Sequence, residues 1–419
     1  MKVLHITADM DPVKGGVQQG LRTVVSILSE RGVYNEVTSL NSPDASFLAH
    51  DFFINNPLGP AKGPWSYSSK LIPWLLENLM RFDVVIVHGI WQFHGYAVRQ
   101  AMNILREKNI SKSLSGDMLL PKVFVFPQGM LDPYFQRAPG RKLKALRNSI
   151  YWKFIEGKLI NEADGVFFTA EDEKRLAREP FHPYRPRREE VVGMCQASPP
   201  PYVPNMKKAF LEECSDVKDR PYLLFLSRIH EKKGVDLLIK AYLNVLQNIQ
   251  TTKNKIMEEA DISEVKESDL PLLVIAGPGL ETQYGLRMQK LVSNSPELKN
   301  RVFFPGMLAG DAKWGAFYGC EAFILPTHQE NFGIAITEAL ACGKPVLITH
   351  QTNIWQEIIS AGGGIVGNDT LQGTQGLIEQ WINLSNDEKM EYSHRALSTY
   401  LQHFEMDKIA DKWISTINK

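Results

Sequence analysis

Residues 322–348 read AFILPTHQENFGIAITEALACGKPVLI, and this stretch indicates the fold. Two short apolar runs, 322–325 and 345–348, flank a helical segment that begins near Phe332 or Gly333. Continuous apolar runs of this length are typical of parallel strands that are covered on both faces. A strand, a helix and a second strand in this order form a βαβ unit, which predicts an α/β protein.

The same alternation of apolar runs and helical stretches extends along the rest of the chain. The other runs lie at residues 2–7, 36–40, 83–87, 122–126, 165–169, 222–227, 272–276 and 302–305. The pattern breaks after residue 195, where four prolines occur within residues 199–204, because proline fits neither a helix interior nor a central strand. We therefore predict two doubly wound, Rossmann-like domains. Their bounds are 1–195 and 221–396, with a linker at 196–220 and an amphipathic helix at 397–419.

Composition excludes several classes of protein. With 47 basic and 47 acidic residues among 419, the chain has no net charge to attract nucleic acid. Its 44% hydrophobic and 22% charged residues are typical of a globular protein. The four cysteines form no C-x-x-C pair, which disfavours a zinc site and a disulfide framework. Since no signal peptide or spanning segment is visible either, we expect a cytoplasmic protein.

The first candidate binding residues are Gly15 and Gly16, which follow the run at 2–7 and precede a helical stretch. Glycines at such a turn let a bound group approach the backbone, and a helix N-terminus favours an anion. A loop that only closes a βα turn is an equally good interpretation. The dinucleotide and P-loop fingerprints are both absent. Asp9 and Asp11 imitate a D-x-D metal motif, but we expect them to orient this loop or meet the acceptor.

A second candidate follows the run at 222–227. Arg228 and Lys233 lie five residues apart at this strand end, where two cations suit a diphosphate leaving group. A solvated charge run is the alternative. The third candidate is the pair Glu330 and Glu338, one before and one within the helix of the opening stretch. A carboxylate accepts hydrogen bonds from two vicinal hydroxyls, which suits a sugar, and the free N–H groups of residues 331–334 offer donors.

At these residues the chain resembles the retaining nucleotide-sugar glycosyltransferases of family 4, which have the two-domain GT-B fold. The family motif E-x-F-G-x-x-x-x-E-A-x-x-x-G-x-P-V corresponds to residues 330–346, and its R-x4-K-G element corresponds to residues 228–234. The glycine pair corresponds to Gly15 and Gly16. The resemblance covers nearly the whole chain, strongly over 220–350 and more loosely before 200.

The resemblance implies two domains that face each other across a cleft, with the last helix crossing back to the first domain. It implies that Arg228 and Lys233 hold the donor diphosphate, that Glu330 faces the transferred sugar and that Glu338 binds the ribose. The implied catalytic residues are Arg228, Lys233 and Glu330. The implied donor-binding residues are Gly15, Gly16, Gln128, Gly277, Met307, Asn331, Phe332, Gly333, Ile334 and Glu338. The donor would be a UDP-, GDP- or ADP-sugar, the acceptor a sugar or a lipid-linked sugar, and no metal would be needed.

One position departs from the family pattern. Members commonly carry a histidine in a Pro-His-Gly-Met-Leu setting, whereas this chain has Gln128. Glutamine hydrogen-bonds a hydroxyl but does not titrate near neutral pH, so proton transfer at this position is in doubt. His88 and His94, on what reads as a neighbouring loop, are candidate substitutes on the acceptor side; structural or solvent-facing histidines are the alternative.

The sequence therefore predicts a retaining hexosyltransferase that acts in polysaccharide or glycolipid biosynthesis. Two alternatives stay open: a nucleotide-sugar epimerase on the same fold, and a nucleotide-sugar-binding protein that has lost catalysis. Residues 137–158 combine basic and aromatic side chains and suggest peripheral contact with the inner membrane surface, although a solvated helix with a buried aromatic stripe has the same pattern.

Overall fold

A computed structural model describes residues 1–111, 119–138, 140–260 and 270–419. These residues form two units. Unit 1 comprises Met1–Ala197 together with Met406–Lys419, and unit 2 comprises Ser198–Glu405. Each unit contains one parallel sheet with helices packed on it.

The sheet of unit 1 has seven strands in the order β3-β2-β1-β4-β5-β6-β7, all of them parallel. The strands are β1 (Lys2–Thr7), β2 (Tyr34–Ser39), β3 (Ile54–Pro57), β4 (Val84–His88), β5 (Lys122–Phe126), β6 (Gly165–Phe168) and β7 (Glu189–Val191). The helices are α1 (Gly16–Glu30), α2 (Leu71–Asn78), α3 (Phe93–Ser111), α4 (Tyr134–Arg137), α5 (Lys142–Tyr151), α6 (Gly157–Glu162) and α7 (Glu171–Ala177). A π-helical segment, Trp152–Glu156, joins α5 to α6.

The sheet of unit 2 has six parallel strands in the order β10-β9-β8-β11-β12-β13. The strands are β8 (Tyr222–Leu226), β9 (Leu272–Ala276), β10 (Val302–Gly306), β11 (Ala322–Leu325), β12 (Val346–Thr349) and β13 (Gly364–Gly367). The helices are α8 (Pro204–Glu213), α9 (Val235–Ala260), α10 (Gln283–Ser293), α11 (Gly310–Gly319), α12 (Ile334–Ala341), α13 (Trp355–Ala361), α14 (Leu371–Ile382) and α15 (Asn386–His403).

The last helix, α16 (Met406–Asn418), belongs to unit 1. Its buried Ile409, Trp413 and Ile417 join a core cluster with residues of β1, β4, β5 and β6. The Trp413 ring meets the rings of Phe126 and Phe167 edge-on, with centroids 5.4 Å apart in both cases. The expected return of the last helix to the first domain is therefore seen as packing on this sheet.

The predicted fold class, two doubly wound α/β domains, is confirmed. Every apolar run taken for a strand coincides with one to within two residues, because central parallel strands are buried on both faces. Three strands had no such signal: β3 and β7 lie at sheet edges and are polar, and β13 is a short edge strand with two glycines.

Two local expectations differ from the structure. The predicted linker contains α8, whose Met206 and Phe210 are buried in unit 2. Proline at the first turn of a helix is compatible with it, so Pro204 begins α8. The predicted helix at 397–419 is two helices: residues up to His403 belong to α15 in unit 2, and only α16 packs on the sheet of unit 1.

Candidate functional site

The candidate site in unit 2 lies where the strand order reverses. β8 and β11 are neighbours in the sheet although they are not consecutive in sequence. In doubly wound sheets, ligands bind beyond the carboxyl ends of the strands at such a switch point. The loop after β8 carries Arg228 and Lys233, and the loop after β11 carries Glu330.

Lys233 ends a short 3₁₀ turn, Glu231–Lys233, in which the Lys232 N–H donates to Nδ1 of His230 at 3.0 Å. The following Gly234 has φ 67°, and a Cβ there would lie 2.0 Å from the carbonyl oxygen of Pro326. Only glycine fits this close approach. The turn therefore directs Lys233 inward, where it is 6% exposed and its Nζ forms an ion pair with Glu330.

The Glu330 backbone is fixed by its neighbours on the next loop. Its N–H donates to the Gln351 carbonyl at 2.8 Å, and its carbonyl accepts from the Asn353 N–H at 3.0 Å. The second carboxylate oxygen, Oε1, accepts from the Asn331 N–H at 3.1 Å. Burial by itself would raise the pKa of Glu330, but the Lys233 ammonium and these hydrogen bonds lower it below its ordinary value. The pair is thus a charged, positioned unit.

At the turn into α12, backbone groups are available to a ligand, whereas the Phe332 ring is buried. Gly333 has φ 78° and precedes the first helical residue, Ile334. The Phe332 ring is buried against Phe404, with centroids 5.8 Å apart, so only its backbone is available to a ligand. The Asn331 amide oxygen accepts from Asn353 at 3.1 Å. Since the first N–H groups of a helix have no acceptor within it, this turn offers backbone donors.

Glu338, on α12, has a partner that sequence reasoning missed. Its Oε1 lies 2.5 Å from the Nζ of Lys313 on α11. Burial raises the pKa of Glu338, and Lys313 offsets part of that increase. The lysine carries no sequence signal, because its role depends on how α11 packs beside α12.

Three other predicted residues of unit 2, Arg228, Gly277 and Met307, are not part of the Lys233–Glu330 ion pair. Arg228 is exposed, and its guanidinium makes no hydrogen bond or ion pair with any residue that the structure describes. The N–H of Gly277 donates to the Gly306 carbonyl at 2.7 Å, which joins the loop after β9 to the end of β10. Met307, the first residue after β10, is 72% exposed. Arg228 and Met307 are thus accessible, whereas Lys233 and Glu330 are held.

In unit 1, the first loop is organised by the two aspartates rather than by its glycines. Oδ1 of Asp9 accepts from the Asp11 N–H at 2.9 Å and from the Asn41 amide at 2.7 Å. Oδ1 of Asp11 accepts from the Val13 N–H at 3.0 Å. Gly15 and Gly16 lie beyond this turn and are exposed. Both carboxylates thus contact the loop itself. No group of three or more metal-ligating side chains occurs within the described ranges.

Gln128 follows β5 and adopts a left-handed backbone with φ 52°. It is 8% exposed, and its Oε1 is buried without a hydrogen-bond partner. The next residue, Gly129, donates its N–H to Glu173 at 2.5 Å, and the same carboxylate accepts from Thr169 N–H at 2.7 Å and Oγ1 at 2.6 Å. Sequence reasoning missed Glu173, which anchors the turn that presents Gln128.

His88 and His94 are not loop residues, which corrects the sequence interpretation. His88 ends β4 and His94 lies in the first turn of α3, and both are buried. His88 Nε2 lies 3.0 Å from His5 Nδ1, and His94 Nε2 lies 2.9 Å from the His88 carbonyl. Burial lowers the pKa of His94 to about 4 and that of His88 well below its ordinary value, so both rings are neutral. Their proposed acceptor role stays a prediction.

The basic stretch 137–158, apart from residue 139, covers α5 and the π-helical segment. Four large apolar side chains on it are between 53% and 84% exposed: Leu143, Leu146, Ile150 and Phe154. Their spacing of three or four residues places them along one stripe. Within the described ranges, no helix is both long enough and apolar enough to cross a bilayer.

Comparison with known proteins gives matches to glycosyltransferases. Residues 208–396 match the family model described as Glycosyl transferases group 1. The D-inositol 3-phosphate glycosyltransferase of Arthrobacter sp. (strain FB24) is 26% identical over 145 residues, 35% of this chain and 30% of that protein. The GDP-mannose-dependent alpha-(1-6)-phosphatidylinositol monomannoside mannosyltransferase of Mycolicibacterium smegmatis is 24% identical over 262 residues, 58% of this chain and 61% of that protein. Each match spans less than two thirds of the relative's length.

Solved structures match over the whole chain. HepE of Anabaena, in a complex with UDP, has a TM-score of 0.72 at 15% identity and covers 100% of both chains. A glycosyltransferase from Rickettsia africae has a TM-score of 0.71 at 15% identity, covering 99% of this chain and 97% of that one. At this level of identity the likeness shows the two-domain α/β fold.

Proposed function

We propose that the protein is a nucleotide-sugar-dependent glycosyltransferase that moves a hexosyl unit to an acceptor hydroxyl with retention of configuration and without a metal ion. The observation that carries the proposal is the buried Lys233–Glu330 pair at the switch point of unit 2. This pair lies within the part of the chain that matches a glycosyltransferase family. HepE, which shares the fold, has been crystallised with UDP and glucose, which supports a nucleotide-sugar donor.

In the proposed reaction, Lys233 and Arg228 stabilise the departing diphosphate. Lys233 is pre-positioned by Glu330, so its charge needs no reorganisation when the glycosidic bond breaks. Arg228 is exposed and has no described partner, and it therefore remains available to bind phosphate oxygens with its planar fork. Electrostatic stabilisation of the leaving group is then the largest contribution to catalysis.

Retention is proposed through front-face substitution. The acceptor hydroxyl attacks the anomeric carbon on the side that the diphosphate leaves, and a phosphate oxygen accepts the hydroxyl proton. This path needs no protein base, which agrees with a glutamine at position 128 and with the low pKa of the buried His88 and His94. Glu338 accepts hydrogen bonds from the donor ribose, and Lys313 holds that carboxylate in place.

The first test combines binding and turnover. We expect one of UDP-, GDP- or ADP-hexose to raise the melting temperature, because a ligand at 100 times its Kd adds about 2.7 kcal/mol of stability. Lys233→Ala should then lower turnover by about 10²–10³, the scale for loss of one preorganised stabiliser. Lys290→Ala, an exposed lysine on α10, is the matched control and should be unchanged. Turnover of Lys233→Ala near that of the control would contradict the assignment.

The same assay separates the two alternative functions. A nucleotide-sugar epimerase would convert the donor without any acceptor, so product analysis with donor alone detects it. A protein that has lost catalysis would bind the donor and release no nucleotide with any acceptor.

For the partners, we propose that the exposed stripe on α5 rests on an anionic membrane surface. Apolar side chains enter the interfacial region, and lysines beside them meet lipid phosphates. The stripe is flanked by the exposed Lys142, Lys144 and Lys153, which supply the complementary charge. The proposed activity is then at the cytoplasmic face of a membrane, in polysaccharide or glycolipid synthesis.

A further inference from the structure

We propose that a cavity within unit 1 is a binding site for a sugar ring that bears an anionic group, which on the proposed function is the acceptor. The cavity has a volume of about 440 Å³. It is lined by Pro64, Trp65, Ile90, Trp91, Gln92, Met130, Arg147, Asn148 and Tyr151. Its size is typical of small-molecule sites, which are usually apolar with a few placed polar groups.

The position of the cavity favours a ligand site. Residues 90–92 follow β4, and Met130 belongs to the loop after β5. The cavity therefore lies beyond the carboxyl ends of parallel strands, the edge where ligands bind in doubly wound sheets. Arg147, Asn148 and Tyr151 close it from α5.

Its walls are aromatic and fixed. Trp65 is packed edge-on against Phe93 at 5.2 Å and against Tyr151 at 6.4 Å between ring centroids. The Trp91 indole packs on Phe181 at 5.3 Å and donates its N–H to the Met130 carbonyl at 3.4 Å. The apolar C–H face of a pyranose packs well on such rings, since its hydroxyls project outward around the ring edge.

Polar groups in the cavity are complementary to those hydroxyls. Asn148 is 5% exposed; its Oδ1 accepts from the Arg147 guanidinium at 3.0 Å, and its amide nitrogen has no partner among the described residues. Gln92 donates to Ser66 Oγ at 3.0 Å, which leaves its carbonyl oxygen as an acceptor. One wall thus offers a donor and another an acceptor.

The charge of Arg147 selects an anionic ligand. Its guanidinium bonds only the neutral Asn148 among the residues that the structure describes, and no carboxylate there neutralises it. An arginine that is oriented by a buried amide and lacks a counter-ion suits a phosphate or carboxylate, because its fork binds either in a bidentate way.

The cavity is also pre-organised by a strained backbone. Trp91 has φ 74°, a conformation that costs energy in a residue other than glycine. Its N–H donates to Glu156 Oε1 at 2.9 Å, and Glu156 is directed there by the π-helical segment Trp152–Glu156. Left-handed residues and π-segments both occur preferentially at functional sites. The hydrogen bond to Glu156 therefore holds the Trp91 backbone in this conformation, with Trp91 in the cavity wall.

The test is a binding titration on the full chain without donor, followed by intrinsic tryptophan fluorescence. The probes are glucose 6-phosphate, glucuronate and glucose. We expect saturable binding of at least one anionic probe and at least tenfold weaker binding of glucose. Arg147→Met, which keeps the apolar stem, should raise the Kd of the anionic probe at least tenfold, whereas Lys108→Ala, at an exposed lysine on α3 outside the cavity, should not.

Two results would overturn the proposal: equal affinity for charged and neutral probes, or an Arg147→Met variant that binds like Lys108→Ala. Failure of the glycosyltransferase assignment is read separately, as absence of any thermal shift with nucleotide sugars. In turnover assays Arg147→Met should raise the acceptor KM and leave the donor KM unchanged. Comparing glucose 1-phosphate with the same sugar phosphate on a dodecyl chain distinguishes a free acceptor from a lipid-linked one.

Discussion

Gln128 combines an unfavourable backbone conformation with a buried, unpaired polar atom. It has a left-handed backbone, is almost fully buried, and leaves its carbonyl oxygen without a hydrogen bond. A buried acceptor without a partner costs stability, and a sugar hydroxyl would satisfy it. Gln128→Ala should therefore raise the activation free energy by about 1–2 kcal/mol, the scale of one neutral hydrogen bond. Steady-state kinetics measures the resulting loss of turnover.

Gln128→His provides the complementary test. Histidine tolerates a left-handed backbone better than most residues, so the variant should fold and stay active. Its rate profile should gain no new limb between pH 6 and 7. A large gain in rate that titrates near the ordinary histidine pKa would instead show that proton transfer matters at this position, and the binding-protein alternative would then be favoured.

Glu156 makes stability depend on pH. Burial raises its pKa from 4.5 to about 7, so between these values the unfolded chain has lost a proton that the folded chain keeps. The contribution of Glu156 to the free energy of unfolding therefore falls by about 1.4 kcal/mol for each pH unit through this window. Glu156→Gln keeps an acceptor for the Trp91 N–H and should abolish this slope in urea unfolding between pH 4.5 and 7.

The measurement is the difference between wild type and variant, because other groups change with pH too. Burial lowers the pKa of His5 and His94 to about 4, so these rings reduce stability as the pH falls below 6.5. That dependence has the opposite sign and cancels in the difference. Glu77→Gln, at an exposed position on α2, is the control. A stability difference between wild type and Glu156→Gln that stays constant with pH would contradict this account of Glu156.

For single residues, the sequence predicts the loop on which a site residue lies better than it predicts which side chains that residue contacts. It placed Lys233 and Glu330 on loops after strands, because βα order determines where a loop emerges. It did not predict the Lys313–Glu338 pair, which depends on helix packing. Nor did it predict that His88 and His94 are buried, because that depends on the elements that cover the end of β4.

At the scale of elements, α5 carries an apolar stripe on a face that its own unit leaves exposed. We expect the protein to sediment with vesicles that contain anionic lipid and to dissociate as salt is raised, because surface charge is screened. Leu146→Asp should reduce the bound fraction at least tenfold by placing a negative charge in the stripe. Leu286→Asp, at an exposed leucine on α10, is the control.

Binding to purely zwitterionic vesicles that equals binding to anionic ones would contradict the role of the lysines. The amphipathic pattern of this stretch was visible in the sequence, but the choice between a membrane face and a buried aromatic stripe was not. The structure contains both: Trp152 is buried, whereas Leu143, Leu146, Ile150 and Phe154 are exposed. The periodicity of apolar residues predicts which of them share a helix face. It does not predict whether that face is covered by protein or left exposed.

For the whole molecule, α16 determines the integrity of unit 1. Trp413 is fully buried between Phe126 and Phe167 at the sheet, so Trp413→Ala should lower the free energy of unfolding by about 3–5 kcal/mol. Urea denaturation measures this change. Leu401→Ala on α15, at a 43% exposed position, should change it by about 0.5 kcal/mol at most. Equal midpoints for the two variants would show that α16 is not part of the unit 1 core.

The route of the chain through its two units has a consequence for biosynthesis. Unit 1 begins at the first residue, is left at Ala197 and is rejoined only at Met406. A ribosome adds about 5–20 residues per second, and domains generally fold as they emerge. Unit 2 is therefore synthesised in full before Ile409, Trp413 and Ile417 are available to pack on the sheet of unit 1. During that interval the apolar surface that α16 will cover is open to solvent, and nascent chains of this protein are most exposed to chaperones or to aggregation at that stage.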